Sequence, residues 1–337
     1  MIKVALIGAG KMGISHLSIL GAHPEVKVVG VCDTSKLVLD VLKKYSSING
    51  YADYQKMVTD EKPDAVFVAV PTKYHAQIVK QLLVNNRHVF TEKPFCLTAE
   101  EGKELVEIAQ QRKLVNQVGY HNKFVGTFQE VKRIIDRGFL GEIFHFTGEA
   151  YGPVVVRQKQ NNWRADPSEG GGCLMDYASH VIDLINYILG TVTGVRGTIL
   201  KSFFSKNVED SVFSLLELES NVSGVLSVNW SDDTYRKMST SLSIIGSNGK
   251  IICDANELKV HFKSDNCPEN YTKGWNVKYI TELTSPVDFY LRGEEYTSQV
   301  NYFIQAVQKK VPNTINNFQS AWLTDRAISL IKNSINN

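Results

Sequence analysis

The first 120 residues alternate short apolar runs with amphipathic ones. The apolar runs are Lys3–Gly10 (KVALIGAG), Val26–Asp33 (VKVVGVCD), Asp64–Val70 (DAVFVAV), His88–Lys93 (HVFTEK) and Leu114–Tyr120 (LVNQVGY). They are β-branched and nearly continuous, as parallel strands covered on both faces are. Helical periodicity fills the intervals at Lys11–Gly21, Ser35–Tyr45, Tyr74–Asn85 and Ala99–Arg112. The last begins with a capping box, Thr98 followed three residues on by Glu101. Alternation of this kind predicts a doubly wound α/β domain over residues 1–120.

The pattern changes after Tyr120. A helix over Thr127–Arg137, stopped by Gly138, leads into the alternating strand GEIFHFTGEAYG. Three glycines, Gly170–Gly172, then open a helix carrying Asp176, His180 and Asp183. Closely spaced alternating segments follow: VRGTILKSFF, DSVFSLLELES, SGVLSVNWS and MSTSLSIIGSNGKIIC, the last with a hairpin signal at SNG. These predict a large, mainly antiparallel sheet with one less-buried face. Helical patterns near Glu294–Lys309 and Phe318–Asn333 end the chain. The expected second domain is α+β and spans 121–337.

The chain of 337 residues is long enough for two domains with hydrophobic cores. Its 43% apolar and 21% charged content is ordinary, and its net charge of +2 calls for neither nucleic acid nor an anionic membrane. No run approaches the roughly 18 apolar residues of a membrane span, and the N-terminus lacks a secretory pattern. Five scattered cysteines (Cys32, Cys96, Cys173, Cys253, Cys267) form no C-x-x-C pair, so a reducing cytoplasm is expected.

GAGKMG places Gly8, Gly10 and Gly13 in G-x-G-x-x-G spacing between a predicted strand and a predicted helix. Gly8 suits the tight turn, Gly10 the approach of a pyrophosphate and Gly13 close helix–strand packing. Gly8, Gly10, Lys11, Met12 and Gly13 are therefore expected to hold a dinucleotide at a helix N-terminus. Asp33, twenty residues beyond Gly13, can accept from the adenosine ribose and would repel a 2′-phosphate. NAD is favoured; Ser35 and Lys36 nearby keep NADP open. Lys93 ends the strand-like run His88–Lys93, at the edge where open α/β sheets bind ligands. Pro94 directs the chain away from helical geometry there.

Gly8-x-Gly10-x-x-Gly13-x-x-His16, VAVPTKYHAQ, Glu92-Lys93-Pro94 and GGGCLMDYASHVIDLINYILG occur in that order. In this the chain resembles the Gfo/Idh/MocA oxidoreductase family over essentially its whole length. The resemblance implies a Rossmann domain followed by an α/β domain whose open sheet commonly forms a homodimer or homotetramer interface. It implies hydride transfer between NAD or NADP and a secondary alcohol of a sugar, nucleotide-sugar or cyclitol. Carried over residue by residue, it makes Lys93, Asp176 and His180 catalytic. It places Pro71, Thr72, His75 and Glu92 around the cofactor. One position departs from the family's Asn/Gln-x-Arg-Phe pattern. Here it reads His121-Asn122-Lys123-Phe124, and an ammonium replaces a bidentate guanidinium.

The residues agree with that chemistry. Asp176 and His180 are i and i+4 and share a helix face; Asp183 and Tyr187 extend it. Histidine accepts a proton near neutral pH, and Lys93 can stabilise a developing alkoxide. Either His180 or Lys93 can receive the hydroxyl proton, so that choice stays open. A zinc site would need further ligands, and no Cys/His cluster stands nearby, so no metal is expected. The aperiodic stretch Tyr151–Gly172 is expected to bind substrate. Tyr151 and Trp163 can stack on a sugar or base, and Arg157, Lys159 and Arg164 can meet a phosphate or carboxylate. Tyr120 and Asn122 join them as candidate substrate contacts. An NAD-retaining glycosidase and a non-catalytic NAD-dependent sugar sensor are the alternatives on the same scaffold.

Overall fold

The computed structural model describes residues 1–157 and 163–336. Lys159, and the side chain of Arg157, fall outside the described residues. The strands are β1 (Ile2–Ile7), β2 (Val26–Cys32), β3 (Asn49–Tyr51), β4 (Ala65–Val68), β5 (His88–Thr91), β6 (Asn116–Val118) and β7 (Ile143–Tyr151). They continue as β8 (Val192–Lys201), β9 (Ser211–Leu218), β10 (Ser223–Asn229), β11 (Ser239–Gly246), β12 (Gly249–Asp254), β13 (Glu257–Phe262) and β14 (Gly274–Tyr279). The α-helices are α1 (Lys11–Ala22), α2 (Lys36–Tyr45), α3 (Tyr54–Glu61), α4 (His75–Val84), α5 (Ala99–Gln111) and α6 (Gly126–Asp136). Then come α7 (Val154–Arg157), α8 (Ser179–Ile188), α9 (Ile280–Leu283), α10 (Glu294–Lys309) and α11 (Phe318–Asn333).

Two compact units result. Met1–His121 and Val287–Trp322 form the first; Asn122–Pro286 and Leu323–Asn337 form the second. The first holds a parallel sheet in the order β3-β2-β1-β4-β5-β6. This is the doubly wound order, with its switch point between β1 and β4. Ala65, Val66, Phe67 and Val68 of β4 are all buried, as strands covered on both faces require.

The division differs from the expected one at the C-terminal end. Residues 287–322 fold with the first unit rather than the second. Val300, Phe303 and Ile304 of α10 join Leu6, Phe67 and Phe90 in one core cluster. The Phe303 ring stands edge-on to Phe67 at 5.4 Å and to Phe90 at 5.9 Å. Asn313 Nδ2 donates to Gln117 Oε1 at 2.6 Å, and Asn316 Nδ2 donates to the carbonyl of Tyr120 at 3.0 Å. The apolar face of α10 thus seals a sheet that ends 180 residues earlier in the chain, a pairing that local periodicity does not carry.

The second unit is an eight-stranded sheet, β14-β13-β12-β11-β7-β10-β9-β8. Its pairs are antiparallel except β7 with β10. Side chains alternate between the faces. Phe146 and Ala150 of β7 point to the face covered by α6 and α8 and share its core. A Cβ on Gly148 would lie 2.6 Å from Val181 Cγ1, so α8 packs directly on β7. The other face keeps large apolar groups exposed, among them Phe213, Leu215 and Trp275.

A fragment of residues 1–121 should therefore fail to fold, because its sheet lacks the α10 face. Phe303→Ala in the full chain should cost about 3–5 kcal/mol, read by urea unfolding.

Candidate active site

The glycine loop lies between β1 and α1. Gly8 has φ +91°, and a Cβ there would meet the Ala69 carbonyl at 2.5 Å. A Cβ on Gly13 would lie 1.9 Å from Gly8 O, so helix and loop pack without room for a side chain. Gly10 differs, since a Cβ there would meet nothing within 4 Å. That open space lies at the start of α1, whose first turn has no side-chain cap and no acidic residue. The loop fits a pyrophosphate at a helix N-terminus. Asp33 Oδ2 accepts from Ala9 N at 2.6 Å and Oδ1 from Ser35 N at 2.8 Å. The carboxylate thus braces the loop and presents a negative charge beside it. Lys11 is exposed and Met12 half-buried. After β4, Pro71 is exposed and Thr72 buried.

Glu92 and His75 are not surface contacts for a cofactor. Glu92 is buried, and its Oε1 accepts from His16 Nε2 on α1 at 2.6 Å. Its Oε2 accepts from Lys93 N at 3.2 Å. Burial opposes its ionisation, but the His16 hydrogen bond and the Lys93 charge outweigh that and hold its pKa below the usual value. His75 is fully buried, with Nε2 2.9 Å from Val70 O and Nδ1 3.0 Å from Pro94 O. Tyr120 is likewise a core residue, only 1% exposed among the apolar side chains around β6. The Glu92 and His75 side chains thus spend their hydrogen bonds inside the protein, and Tyr120 is enclosed.

Lys93, half-buried, has neighbours that the spacing of motifs did not reveal. His121 stacks on Tyr296 at 4.7 Å, and the Arg292 guanidinium lies 4.8 Å from the same ring. Arg292 also donates to Ser15 Oγ on α1 at 2.8 Å. Burial pushes the His121 pKa down to about 4; the Lys93 and Arg292 charges act in the same direction, against Glu92. His121 is therefore neutral near pH 7. Arg292 and Tyr296 belong to the returning segment, which is why the N-terminal motifs gave no sign of them.

In the second unit, Asp176 sits on a π-helical turn, Leu174–Ala178, that runs into α8. The expected α-helical i, i+4 relation to His180 is thus modified by a π-turn, a feature frequent at functional sites. Asp176 and His180 are both buried. Arg164 Nε donates to Asp176 Oδ2 at 2.8 Å, and its guanidinium lies 4.4 Å from the Trp163 ring centre. Arg164 was expected on a substrate anion, yet it meets the candidate catalytic carboxylate. Gly172, at φ +104°, would place a Cβ 2.4 Å from Glu209 Oε1, and that same oxygen accepts from Leu174 N at 2.8 Å. These glycines make room for Glu209 and for the Arg164 carbonyl beside Gly171, rather than for a ligand.

Asp183 forms a buried ion pair with Lys123 Nζ at 2.8 Å, both side chains 1% exposed. Burial pushes the Asp183 carboxyl up to about 6, with Lys123 opposing. Asn122 is buried, and its Nδ2 has no partner among the described residues. Tyr151, expected on substrate, ends β7 half-buried. Strand alternation turns it away from α8, and its Oη meets Ser227 Oγ at 2.8 Å on the open face. Among the described residues no group of three or more His, Cys, Asp or Glu side chains could hold a metal. No helix among them is long and apolar enough to cross a membrane.

Residues 2–120 match the family profile described as "Oxidoreductase family, NAD-binding Rossmann fold". Residues 128–252 match the "GFO/IDH/MocA C-terminal domain". The chain belongs to the Gfo/Idh/MocA oxidoreductase family. Similar members include the D-glucoside 3-dehydrogenase of Escherichia coli (strain K12), 30% identical over 194 residues, which are 56% of this chain and 54% of that protein. The scyllo-inositol 2-dehydrogenase (NAD(+)) of Bacillus subtilis (strain 168) is 26% identical over 66% of each chain. The chain thus spans about half the length of the first curated relatives it matches. The fold extends further: levoglucosan dehydrogenase in complex with NADH superposes with a TM-score of 0.88. That match covers 99% of this chain and 96% of the other at 21% identity.

The low His121 pKa has a stability consequence for this family member. An unfolded histidine titrates near 6.5, and this one near 4 when folded. Between those values the unfolded chain binds more protons, so stability falls as pH drops through that window. This group contributes up to about 3 kcal/mol at neutral pH. His121→Gln should flatten that part of the dependence, read by urea unfolding at about pH 7.5 and about pH 4.5.

Proposed function

We propose that the protein is an NAD-dependent dehydrogenase acting on a secondary alcohol of a neutral sugar or cyclitol. The observation that carries this is Lys93. It stands where β5 of an NAD-binding Rossmann fold ends, beside a neutral His121, on a backbone held from both sides. NAD, when bound, supplies the hydride acceptor. The Lys93 ammonium stabilises charge developing on the reacting oxygen. Asp176 and His180 supply the acid–base side. Asp176 already accepts from Arg164, which keeps it an anion that orients its neighbours, so the hydroxyl proton falls to His180. Asp33 argues for NAD over NADP, since its carboxylate would repel a 2′-phosphate.

A neutral substrate is favoured over a nucleotide-sugar because Arg164, a cation first assigned to a phosphate, is occupied by Asp176. The names of the relatives, D-glucoside 3-dehydrogenase and scyllo-inositol 2-dehydrogenase, point the same way. A panel of glycosides, aldoses and inositols should give NADH absorbance at about 340 nm, with NAD preferred over NADP. Lys93→Ala and His180→Ala should each lower turnover by about 100-fold or more while NAD still binds. Full turnover in both variants rejects the assignment. NAD binding without turnover of any alcohol by the unaltered protein favours the sensor.

The open face of the eight-stranded sheet is the proposed contact with a second copy of the chain. Phe213 and Leu215 of β9 stand there 43% and 52% exposed, and Trp275 of β14 58%. Phe213 pairs across strands with Ile199 of β8, itself 55% exposed, and neighbouring exposed apolar groups of this kind mark interaction surfaces. Phe213→Glu with Leu215→Glu should convert a dimer or tetramer to monomer in light scattering. An unchanged mass in that double variant sends the contact elsewhere.

A further inference from the structure

The chain immediately before and after Lys93 is gripped by two buried histidines from different helices. Before it, Glu92 accepts from His16 Nε2 of α1 at 2.6 Å and from Lys93 N at 3.2 Å. After it, the carbonyls of Pro94 and Phe95 lie 3.0 and 3.1 Å from His75 Nδ1, at the start of α4. The same imidazole reaches Val70 O through Nε2 at 2.9 Å. Burial favours the neutral ring, whose single N–H donates on one side while the other nitrogen packs against the second, so the imidazole is wedged between the chain leaving β4 and the chain leaving β5.

The grip before Lys93 is over-determined by packing. The His16 ring stands 5.0 Å from Phe90 and 5.6 Å from Phe67, which leaves it little freedom. Its Nδ1 is buried without a partner among the described residues, so the hydrogen-bonding capacity of the ring is spent on Glu92. Opposite, Gly119 gives Glu92 its space. A Cβ there would lie 2.9 Å from Oε1 and 3.1 Å from Oε2. Any side chain at position 119 must displace the carboxylate, and with it the Lys93 N–H.

We propose that His16, Glu92 and His75, with Gly119 as the space that admits Glu92, are positioning residues that set where the Lys93 ammonium stands. None of them needs to touch substrate or cofactor. Lys93 carries its ammonium on a long stem, so the position of its backbone bounds where the ammonium can go. Fixing the residues on both sides supplies that limit. Because α1 also opens the glycine loop, the loop and the lysine share one rigid frame. The proposal rests on the reading of Lys93 as the group that meets the reacting oxygen.

The test uses the full chain, with its lysines reductively ¹³C-methylated and the Lys93 signal assigned through Lys93→Arg. Gly119→Ala and His75→Leu should move the Lys93 methyl signal and its titration. Both should lower kcat by about 10- to 100-fold, the scale of an ångström's misplacement, and change NAD affinity by less than about threefold. His16→Gln, which keeps an N–H for Glu92, should restore most of what His16→Leu loses. A merely structural role would lower Tm and NAD affinity together and leave the Lys93 signal of the folded protein in place. An unmoved signal in folded Gly119→Ala and His75→Leu overturns the proposal; if His75→Leu does not fold, Gly119→Ala and the His16 pair decide alone. A moved signal in protein that oxidises no alcohol overturns the dehydrogenase reading and leaves the positioning intact.

Discussion

A carboxylate taken out of water must find a cation or several N–H groups, and much of this structure follows from that requirement. Glu92, Asp176, Asp183 and Asp210 meet it with different partners. Glu92 takes His16 and a backbone N–H. Asp176 takes Arg164, and Asp183 takes Lys123. Asp210 takes the backbone N–H groups of Phe203, Phe204 and Ser205. His16, Arg164 and Lys123 each come from a segment different from the acid's own. Within each unit the acids therefore fix which segments lie together. Losing one partner would leave a buried charge uncompensated, a larger penalty than the pair's net contribution.

The architecture of the first unit was legible because its strands are buried on both faces and its helices on one. Those two periods are local, and β1, β2, β4, β5 and β6 fall inside the apolar runs that announce them. β3 was not, since Asn49–Tyr51 is three residues long and half polar. β13 and β14 were missed for another reason. Lys259, His261 and Asn276 alternate with apolar groups, but Pro, Asn and Gly between the strands break the pattern into fragments too short to read. The return of residues 287–322 is the main difference in domain organisation. Nothing in α10 itself says which sheet its Phe303 will cover.

The candidate site was legible as residue types and illegible as partnerships. Lys93, Asp176 and His180 could be picked from motifs, but Arg164 on Asp176 and His16 on Glu92 are meetings through space. The other placements have simple physical causes. Tyr151 follows Ala150, and one residue along a strand reverses the face. His75 and Tyr120 lie beside the functional edge in sequence, yet point beneath it. The π-turn at Leu174–Ala178 is invisible to a 3.6-residue count, and it alters the angle between Asp176 and His180 without changing their spacing.

The departure at Lys123 then has a physical explanation. An arginine there would bring five donors in a rigid plane, all needing acceptors in a space 1% exposed. Among the groups around the Lys123 ammonium are the carboxylate of Asp183 and, 5.6 Å away, the face of Tyr187. An ammonium asks for fewer acceptors and tolerates an aromatic face, so lysine suits this enclosure better than guanidinium does. The cost appears on Asp183, whose carboxyl is pushed up to about 6 because a single point charge does not fully offset its burial. The pair works less as a source of stability than as a fixed point. It ties the segment before α6 to α8 one turn beyond His180.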